Sequence, residues 1–505
     1  MKADDPIVEA WEKTRADHSE RAAIFDSQGN VTRTFLEVGE RADELVNELK
    51  PIRVGEVLAI QIGNHPDWPS LFLACLRKKI VVLPLEQTIS DEQRQSAFQI
   101  CRVAAAAVIS GRSVEILPPV TAAATTGSSR AKPREPVGVT LKIAQRDPSA
   151  FARDDGGSEP IAWQGNQPSL LKLTSGTTAA PRAVRFRSEQ LLADCENICE
   201  TMGITERDIN FGVIPISHSY GFSNLLTPLI VRGVSLALGN DRIPRAVLDG
   251  LATTRATVFP GMPVFYKSFC EMNEPRPLPE LRLCISAGAP LPMETAEAFA
   301  EKFGRRIHSF YGASECGGIC YVREAQPIPG FVGEPMRGVA LEVLDAEVSS
   351  SLIRVRSRAV AEGYFPIPDE DKLGHGIFVP DDLLEKTANG YRIVGRTSDL
   401  INVAGKKLHP AEVEAEILRC RGVREAIVFG RESERRNEEV AACVVATDVT
   451  EADLLAHCRS RLSSWQVPRR IYLVQAIPVN ERGKTSRREL ALRYPAGRKS
   501  VSVSP

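Results

Sequence analysis

The feature that most constrains the fold is a strand–helix–strand pattern near the beginning of the chain. Residues 57–63 (VLAIQIG) and 80–85 (IVVLPL) are short, almost wholly apolar runs that are typical of buried strands. Residues 67–78 (DWPSLFLACLRK), between them, have the length and apolar content of a helix. Because a helix that joins two neighbouring strands generally makes them parallel, the pattern predicts a parallel sheet and an α/β fold.

The length of the chain requires more than one hydrophobic core. A chain of 505 residues exceeds what a single core normally accommodates, so two or more domains are expected. Strand and helix signals alternate again from about residue 170 to residue 345, and the last hundred residues carry a separate α-β-β-α-β pattern. In that last pattern Pro410 opens a helix, and Thr450 with Asp453 predicts a capping box.

Composition and charge exclude several classes of function. The formal net charge is −1, which argues against a nucleic-acid partner. We find no run of about 18 uncharged apolar residues, so no membrane span is expected, and the polar N-terminal stretch does not resemble a signal peptide. The eleven Cys are scattered without metal-site spacing, which favours reduced thiols and a cytoplasmic location.

Residues 171–184 (LKLTSGTTAAPRAV) are unusually dense in hydroxyl side chains. Ser and Thr hydroxyls beside a glycine, followed by Arg182, provide the short donors and the cation that a nucleotide triphosphate requires. The alternative is a Ser/Thr-rich surface turn, which composition alone would favour. The stretch is not a Walker A loop, because no Lys-Ser/Thr pair follows at the required spacing.

Six further segments follow this stretch in an order that resembles one known family. TSGTTAAPRAV resembles the phosphate-binding signature of the acyl-adenylate-forming superfamily, which contains acyl-CoA synthetases, luciferases and the adenylation domains of peptide synthetases. The other similar segments are PISHSYG (215–221), SAGAPL (286–291), YGASE (311–315), FVPDD (378–382), GRTSDLINVAGKKLHPAEVE (395–414) and PVNERGKTSRREL (478–490). The resemblance implies a large N-terminal α/β domain with mixed sheets, residues 1–397, and a small mobile C-terminal α+β lid, residues 398–505.

The resemblance also implies a reaction. A carboxylate attacks the α-phosphate of ATP, pyrophosphate leaves, and the acyl-AMP is then transferred to a thiol. The implied cofactors are ATP, Mg²⁺ and CoA, or a carrier protein's phosphopantetheine in place of CoA. The partners are a small-molecule carboxylic acid and either CoA or an acyl carrier protein, a choice that the sequence leaves open.

The resemblance assigns roles residue by residue. Lys484, His218 and Glu315 would be catalytic: Lys484 bridges ribose, α-phosphate and carboxylate, His218 closes the wall between the acyl pocket and the phosphate, and Glu315 ligates Mg²⁺. Asp382 would accept bonds from the ribose, with Asp381 as a rival. Ser398 would be the hinge. The implied ATP-binding residues are Thr174, Ser175, Gly176, Thr177, Thr178, Arg182, Ala287, Gly288, Tyr311, Gly312, Ser314, Asp382 and Arg396.

The acid is predicted to be a medium or larger acyl or aryl acid, as in fatty-acid metabolism. His218 stands where amino-acid-activating relatives carry an Asp, and a buried ammonium without a carboxylate partner is costly. Gly312 stands where acetate-specific relatives carry a Trp, which leaves room for a larger group. The predicted acyl pocket consists of His218, Tyr220, Gly221, Met262 and Gly312.

Some residues depart from the family pattern, and two other functions stay open. Ala179 replaces a usual Gly, Arg182 a usual Lys, and Asn402 a Lys that many thioester-forming members carry. A catalytically silent nucleotide-binding homologue is one alternative, which the retained Lys484, Glu315 and Asp382 disfavour. A hydrolase is the other, and the chain contains no GxSxG motif that would support it.

Overall fold

The computed structural model describes residues 5–111, 113–117, 161–163, 167–174, 182–239, 241–324, 328, 330–345, 350–403, 406–433, 437–478 and 486–495. Within these residues the strands form three sheets. The strands are β1 Ala22–Asp26, β2 Val31–Thr34, β3 Val57–Gln61, β4 Val81–Pro84, β5 Val103–Ser110, β6 Ser113–Leu117, β7 Leu170–Thr174, β8 Arg182–Phe186, β9 Ile209–Gly212, β10 Ser235–Leu238, β11 Val258–Gly261, β12 Leu283–Ser286, β13 Ile307–Ala313, β14 Gly317–Tyr321, β15 Phe331–Pro335, β16 Val339–Val343, β17 Ser351–Ser357, β18 Gly363–Phe365, β19 Leu373–Gly374, β20 Ile377–Phe378, β21 Asp382–Thr387, β22 Gly390–Arg396, β23 Ile401–Val403, β24 Lys406–Leu408, β25 Val423–Ser433, β26 Asn437–Ala446 and β27 Arg470–Leu473.

The helices cover the faces of these sheets. A π-helix, Phe222–Leu226, continues the short helix before it, and a 3₁₀ helix, Thr397–Asp399, follows β22. None of the described helices is long and apolar enough to cross a membrane. The α-helices are α1 Pro6–His18, α2 Phe35–Glu48, α3 Trp68–Arg77, α4 Asp91–Ile100, α5 Ser188–Met202, α6 Ser219–Gly221, α7 Thr227–Arg232, α8 Pro244–Thr253, α9 Pro263–Glu271, α10 Met293–Phe303, α11 Pro410–Leu418, α12 Glu451–Arg461 and α13 Arg487–Arg493.

The strand–helix–strand unit predicted from the sequence is confirmed. Strands β3 and β4 are parallel, with Val57 opposite Val81 and Ile60 opposite Pro84, and α3 connects them. They lie inside a seven-stranded sheet with the order β18-β8-β7-β4-β3-β5-β6. All four residues of β4 are buried, as expected for a parallel sheet that is covered on both faces.

The largest sheet changes character part-way along its order. Strands β9, β11, β12 and β13 are parallel neighbours, whereas β13, β14, β15 and β22 pair antiparallel. Its parallel part packs on α8, α9 and α10 through a core rich in aromatic rings, including Phe259, Tyr266 and Phe299. The prediction of mixed sheets in a large α/β domain agrees with this topology.

The C-terminal unit has its own sheet, with the order β24-β23-β26-β25 and β27 beside β26. Its core contains Leu408, Val413, Val428 and Leu454. The predicted capping box is present, because the Asp453 amide donates to the Thr450 hydroxyl and the Thr450 amide donates to the Asp453 carboxylate. The predicted α-β-β-α-β order was incomplete: the hairpin β23–β24 precedes the first helix and α13 follows the last strand.

Candidate active site

Four parallel strands bring predicted site residues to one edge of the large sheet. Strand β11 ends just before Met262, and β12 ends just before Ala287 and Gly288. Tyr311 lies near the carboxyl end of β13. The fourth strand, β9, leads into the segment that contains His218. In open α/β sheets, ligands bind in the crevice outside the carboxyl ends of the strands, so this edge is the candidate site.

The backbone at Gly288 leaves space at this edge. Gly288 has a φ of +86°, and a Cβ atom built there would have nothing within 4 Å apart from its immediate chain neighbours. The neighbouring Ala287 is buried. A flat ligand could therefore approach the backbone of this segment closely.

Asp382 is the buried carboxylate of the candidate site. Tyr311 donates its hydroxyl hydrogen to Asp382 Oδ2 at 2.7 Å, and Arg396 donates from Nε to Asp382 Oδ1 at 2.7 Å. Asp382 and Arg396 face each other across the β21–β22 pair, so the strand register positions the ion pair. Burial raises the pKa of Tyr311 well above its usual range and the Asp382 charge adds to the rise, so Tyr311 remains a donor.

Asp381, the rival for the same role, has a different environment. Its side chain is half exposed and lies 2.6 Å from Lys372 Nζ. Its backbone oxygen accepts a hydrogen bond from the Thr397 amide at 2.8 Å. The geometry therefore favours Asp382, the buried carboxylate, over Asp381 as an acceptor inside the crevice.

Glu315 lies in a second polar cluster, which joins the two large sheets. The Tyr364 hydroxyl donates to Glu315 Oε1 at 3.2 Å, and the Arg182 guanidinium stacks on the Tyr364 ring at 3.6 Å from its centroid. Arg182 also lies 3.4 Å from Asp369 Oδ2. Burial raises the pKa of Glu315. A cation bound beside this carboxylate would oppose that rise and favour the charged form.

Ser314 and His218 are joined through Ser219, a residue of the PISHSYG segment to which the sequence assigned no role. Ser219 donates from its hydroxyl to the Ser314 hydroxyl at 3.1 Å. His218 Nδ1 accepts from the Tyr220 amide at 3.2 Å, so a neutral His218 carries its hydrogen on Nε2. The segment with His218 and the segment with Glu315 are therefore held in contact.

Packing accounts for two glycines of the predicted acyl pocket. A Cβ atom at Gly312 would lie 2.5 Å from the Gly317 carbonyl oxygen, and one at Gly221 would collide with the Pro215 carbonyl oxygen. Tyr220 is buried, stacks on Phe310, and donates to the Gly261 carbonyl oxygen at 3.3 Å. These contacts explain the residues without a ligand, so their role in an acyl pocket stays a prediction.

Several predicted residues lie outside the described parts of the chain. They are Ser175, Gly176, Thr177, Thr178 and Lys484. Thr174, the residue before them, donates from its hydroxyl to the Arg182 carbonyl oxygen at 3.1 Å, so the ends of this segment are bonded to each other.

Comparison with known proteins identifies the family. A family model described as AMP-binding enzyme matches residues 11–365, and one described as AMP-binding enzyme C-terminal domain matches residues 412–484. The chain belongs to the AMP-binding enzyme family. This confirms the resemblance drawn from the seven ordered segments.

Individual relatives align over almost the whole chain. A probable CoA ligase, CCL9, from Humulus lupulus is 26% identical over 95% of this chain and 94% of its own length. The anthranilate–CoA ligase of Pseudomonas aeruginosa is 27% identical over 94% of each chain. ATP-bound MatB from Rhodopseudomonas palustris has a TM-score of 0.78 at 22% identity, covering 97% of this chain and 99% of its own, which confirms the predicted fold.

The site fits a magnesium ion only if the nucleotide supplies most of the ligands. Among the described residues, no group of three or more His, Cys, Asp or Glu side chains could hold a metal. Glu315 is a single half-buried carboxylate at the predicted phosphate end of the crevice. Mg²⁺ is commonly bound by one or two carboxylates together with substrate phosphates, and this arrangement matches that pattern.

Proposed function

We propose that the protein is an AMP-forming acid–CoA ligase. A carboxylate oxygen attacks the α-phosphorus of ATP, the bond to the β-phosphate oxygen breaks, and pyrophosphate leaves. The thiol of CoA then attacks the acyl carbon of the acyl-AMP, and AMP leaves as the thioester forms. The relatives named above as CoA ligases support this reaction class. The observation that carries the proposal is the pair of polar clusters, around Asp382 and Glu315, beside the carboxyl ends of parallel strands.

The Asp382 cluster would bind the nucleoside. Asp382 would accept hydrogen bonds from the ribose hydroxyls while Tyr311 and Arg396 hold its two oxygens in place. The open backbone at Ala287 and Gly288 would accommodate adenine beside the Tyr311 ring. A carboxylate fixed by two partners before binding does not lose side-chain freedom when the ribose arrives.

The Glu315 cluster would bind the phosphates. Glu315 would ligate Mg²⁺, and Ser314 with the 174–178 segment would bond the phosphate oxygens. The Arg182 guanidinium stacks on Tyr364, which donates to Glu315, and lies 3.4 Å from Asp369 Oδ2, so it is held near the Glu315 carboxylate. The chemistry at the α-phosphate requires positioning and charge neutralisation, which these groups and Lys484 would supply.

The acid would be a medium or larger acyl or aryl acid. Met262 and His218 border the same edge as the nucleotide residues, and the pocket proposed there contains no described carboxylate that could pair with an ammonium group.

CoA is the proposed acceptor, with a carrier-protein phosphopantetheine as the alternative. A silent nucleotide-binding homologue is the second candidate function, and the intact Asp382 and Glu315 clusters argue against it.

Acid-dependent exchange of labelled pyrophosphate into ATP tests the first half-reaction. The wild type is expected to catalyse exchange with at least one acid of a panel that runs from acetate to aryl and long acyl acids. Lys484→Ala should lower the rate by on the order of 10²-fold, because a single positioned donor to developing charge is worth roughly that much. Lys386→Ala, at an exposed lysine, is the matched control and should leave the rate unchanged.

Two results would contradict these assignments separately. If the wild type exchanges pyrophosphate with no acid but still binds ATP, the ligase proposal fails and the silent homologue takes its place. If exchange occurs and Lys484→Ala stays within a few-fold of the wild type, Lys484 is not the bridging residue.

A further inference from the structure

Tyr364 is a buried tyrosine that lies where the two large sheets meet. It is the middle residue of β18 and pairs antiparallel with Val184 on β8, the strand that begins at Arg182. Just before β18, the Ala361 amide donates to the Glu315 carbonyl oxygen at 2.9 Å. Backbone hydrogen bonding therefore ties the segment that carries Tyr364 both to the strand of Arg182 and to Glu315.

The hydroxyl and the ring of Tyr364 make two different contacts. The hydroxyl donates to Glu315 Oε1 at 3.2 Å, and the Arg182 guanidinium lies over the ring, 3.6 Å from its centroid. Arg182 Nη1 also lies 3.4 Å from Asp369 Oδ2, which restricts the movement of the guanidinium over the ring. Only 2% of Tyr364 is exposed, so water has little access to either contact.

The Glu315 carboxylate can accept this hydrogen bond and still ligate a metal. An ionised carboxylate has about four lone-pair sites on its two oxygens, and the Tyr364 hydroxyl uses one of them. Hydrogen bonds to ligating carboxylates fix their orientation, and the loss of such a partner typically lowers metal affinity or activity by about 10- to 100-fold. The Tyr364 hydroxyl has this relation to the carboxylate that would bind Mg²⁺.

Packing explains the ring of Tyr364 but not its hydroxyl. The residue belongs to an apolar core that also contains Leu373 and Phe378, and a phenylalanine would fill the same space. We propose that Tyr364 is a positioning residue for MgATP: its hydroxyl orients the Glu315 carboxylate, and its ring supports the Arg182 guanidinium. This inference rests on the proposed function, because it assigns Glu315 to Mg²⁺ and Arg182 to the phosphates.

The test measures ATP binding by titration calorimetry, once with Mg²⁺ and once with EDTA. No acid is present, so the readout does not depend on turnover. Tyr364→Phe removes only the hydroxyl, whereas Tyr364→Leu also removes the ring. The matched control is Tyr472→Phe, which removes a hydroxyl that accepts from Arg431 Nη1 at 2.7 Å in the small unit. The KM for the acid in pyrophosphate exchange is measured for each variant.

The wild type is expected to bind ATP more tightly with Mg²⁺ than with EDTA. Tyr364→Phe should raise the dissociation constant about tenfold with Mg²⁺ and less than twofold with EDTA, because only Glu315 loses a partner. Tyr364→Leu should raise both constants, since Arg182 would contact the phosphates without a metal. In an Arg182→Ala background the two Tyr364 variants should agree within twofold.

The control and the acid define the limits of the effect. Tyr472→Phe should lower the melting temperature without changing either dissociation constant, and the KM for the acid should stay within twofold in every variant. If Tyr364→Leu does not fold, Tyr364→Met replaces it with the same readouts.

The inference is overturned if Tyr364→Phe loses stability while both dissociation constants stay within twofold of the wild type, as a purely structural tyrosine requires. Equal increases with Mg²⁺ and with EDTA, or a wild type whose ATP affinity does not depend on Mg²⁺, also overturn it. A wild type that binds MgATP but exchanges pyrophosphate with no acid would instead refute the proposed function, and the binding measurements would still decide the role of Tyr364.

Discussion

At the scale of single residues, two adjacent aspartates have opposite surroundings. Asp382 is buried between Tyr311 and Arg396, whereas Asp381 faces solvent beside Lys372. We predict that Asp382→Asn raises the KM for ATP by about 10- to 150-fold, since a hydrogen bond to a charged group contributes about 1.5–3 kcal/mol. Arg396 is more than half exposed and water can solvate it, so the variant should remain folded.

Asp381→Asn is the matched variant, with the same chemical change one residue away. An exposed ion pair is worth at most about 1 kcal/mol, so its loss should lower the melting temperature only slightly. The KM for ATP should stay within twofold of the wild type. Steady-state kinetics at saturating acid would measure both variants. A larger effect at Asp381 than at Asp382 would show that Asp381, and not Asp382, binds the ribose.

The sequence could predict the motif residues but not the residues that hold them. Tyr311, Asp382 and Arg396 were predicted as a set from three separate segments, and the structure brings them together. The chain has eight tyrosines, and Tyr364 lies in none of the motifs, yet it contacts Glu315 and Arg182. No local pattern marks such a residue, because its partners come from other strands that only the fold brings near.

At the scale of elements, the short helix Thr397–Asp399 joins two sheets. The Thr397 amide donates to the Asp381 carbonyl oxygen at 2.8 Å, and the Asp399 carboxylate accepts from Arg487 Nη1 at 2.8 Å. One end is thus bonded to the large unit and the other to the small unit. The boundary between residues 397 and 398 and the hinge at Ser398 stay predictions.

Ser398→Pro should slow thioester formation more than adenylation. Proline fixes φ at its own position and restricts Thr397, so a rotation of the small unit about this point would be hindered. Single-turnover measurements of acyl-AMP formation and of thioester formation would separate the two steps. Ser398→Ala is the control, and equal losses in both steps for the proline variant would argue against a hinge at this position.

Elements with mostly buried side chains could be predicted from the sequence, whereas short and mostly polar elements could not. Strands β3 and β4 were recognisable because nearly every side chain is buried and therefore apolar. The hairpin β23–β24 and helix α13 were missed, since KKL and RRELALR are short and mostly polar. Their structure depends on neighbours: β23 pairs with β26, and α13 packs on the small sheet through Leu490.

At the scale of the whole molecule, the parallel strands β9, β11, β12 and β13 share one edge, where the nucleotide and the acid would meet. Met262 follows β11 and is partly buried against the aromatic core, so it is the described pocket residue with the most suitable side chain for a size test. Gly312 is less suitable, because any side chain there would strike the Gly317 carbonyl oxygen and disturb the turn after Glu315.

Met262→Trp should therefore reject larger acids while acetate and propionate are less affected. In the wild type each methylene buried in the pocket should contribute about 0.8 kcal/mol, roughly a factor of four in kcat/KM, until the pocket is full. The measurement is kcat/KM for a series of acids of increasing size. Val264→Trp, at an exposed position two residues along α9, is the control and should leave the size profile unchanged. A wild type that prefers acetate, or a Met262→Trp profile parallel to that of the wild type, would show that the acid does not lie against Met262.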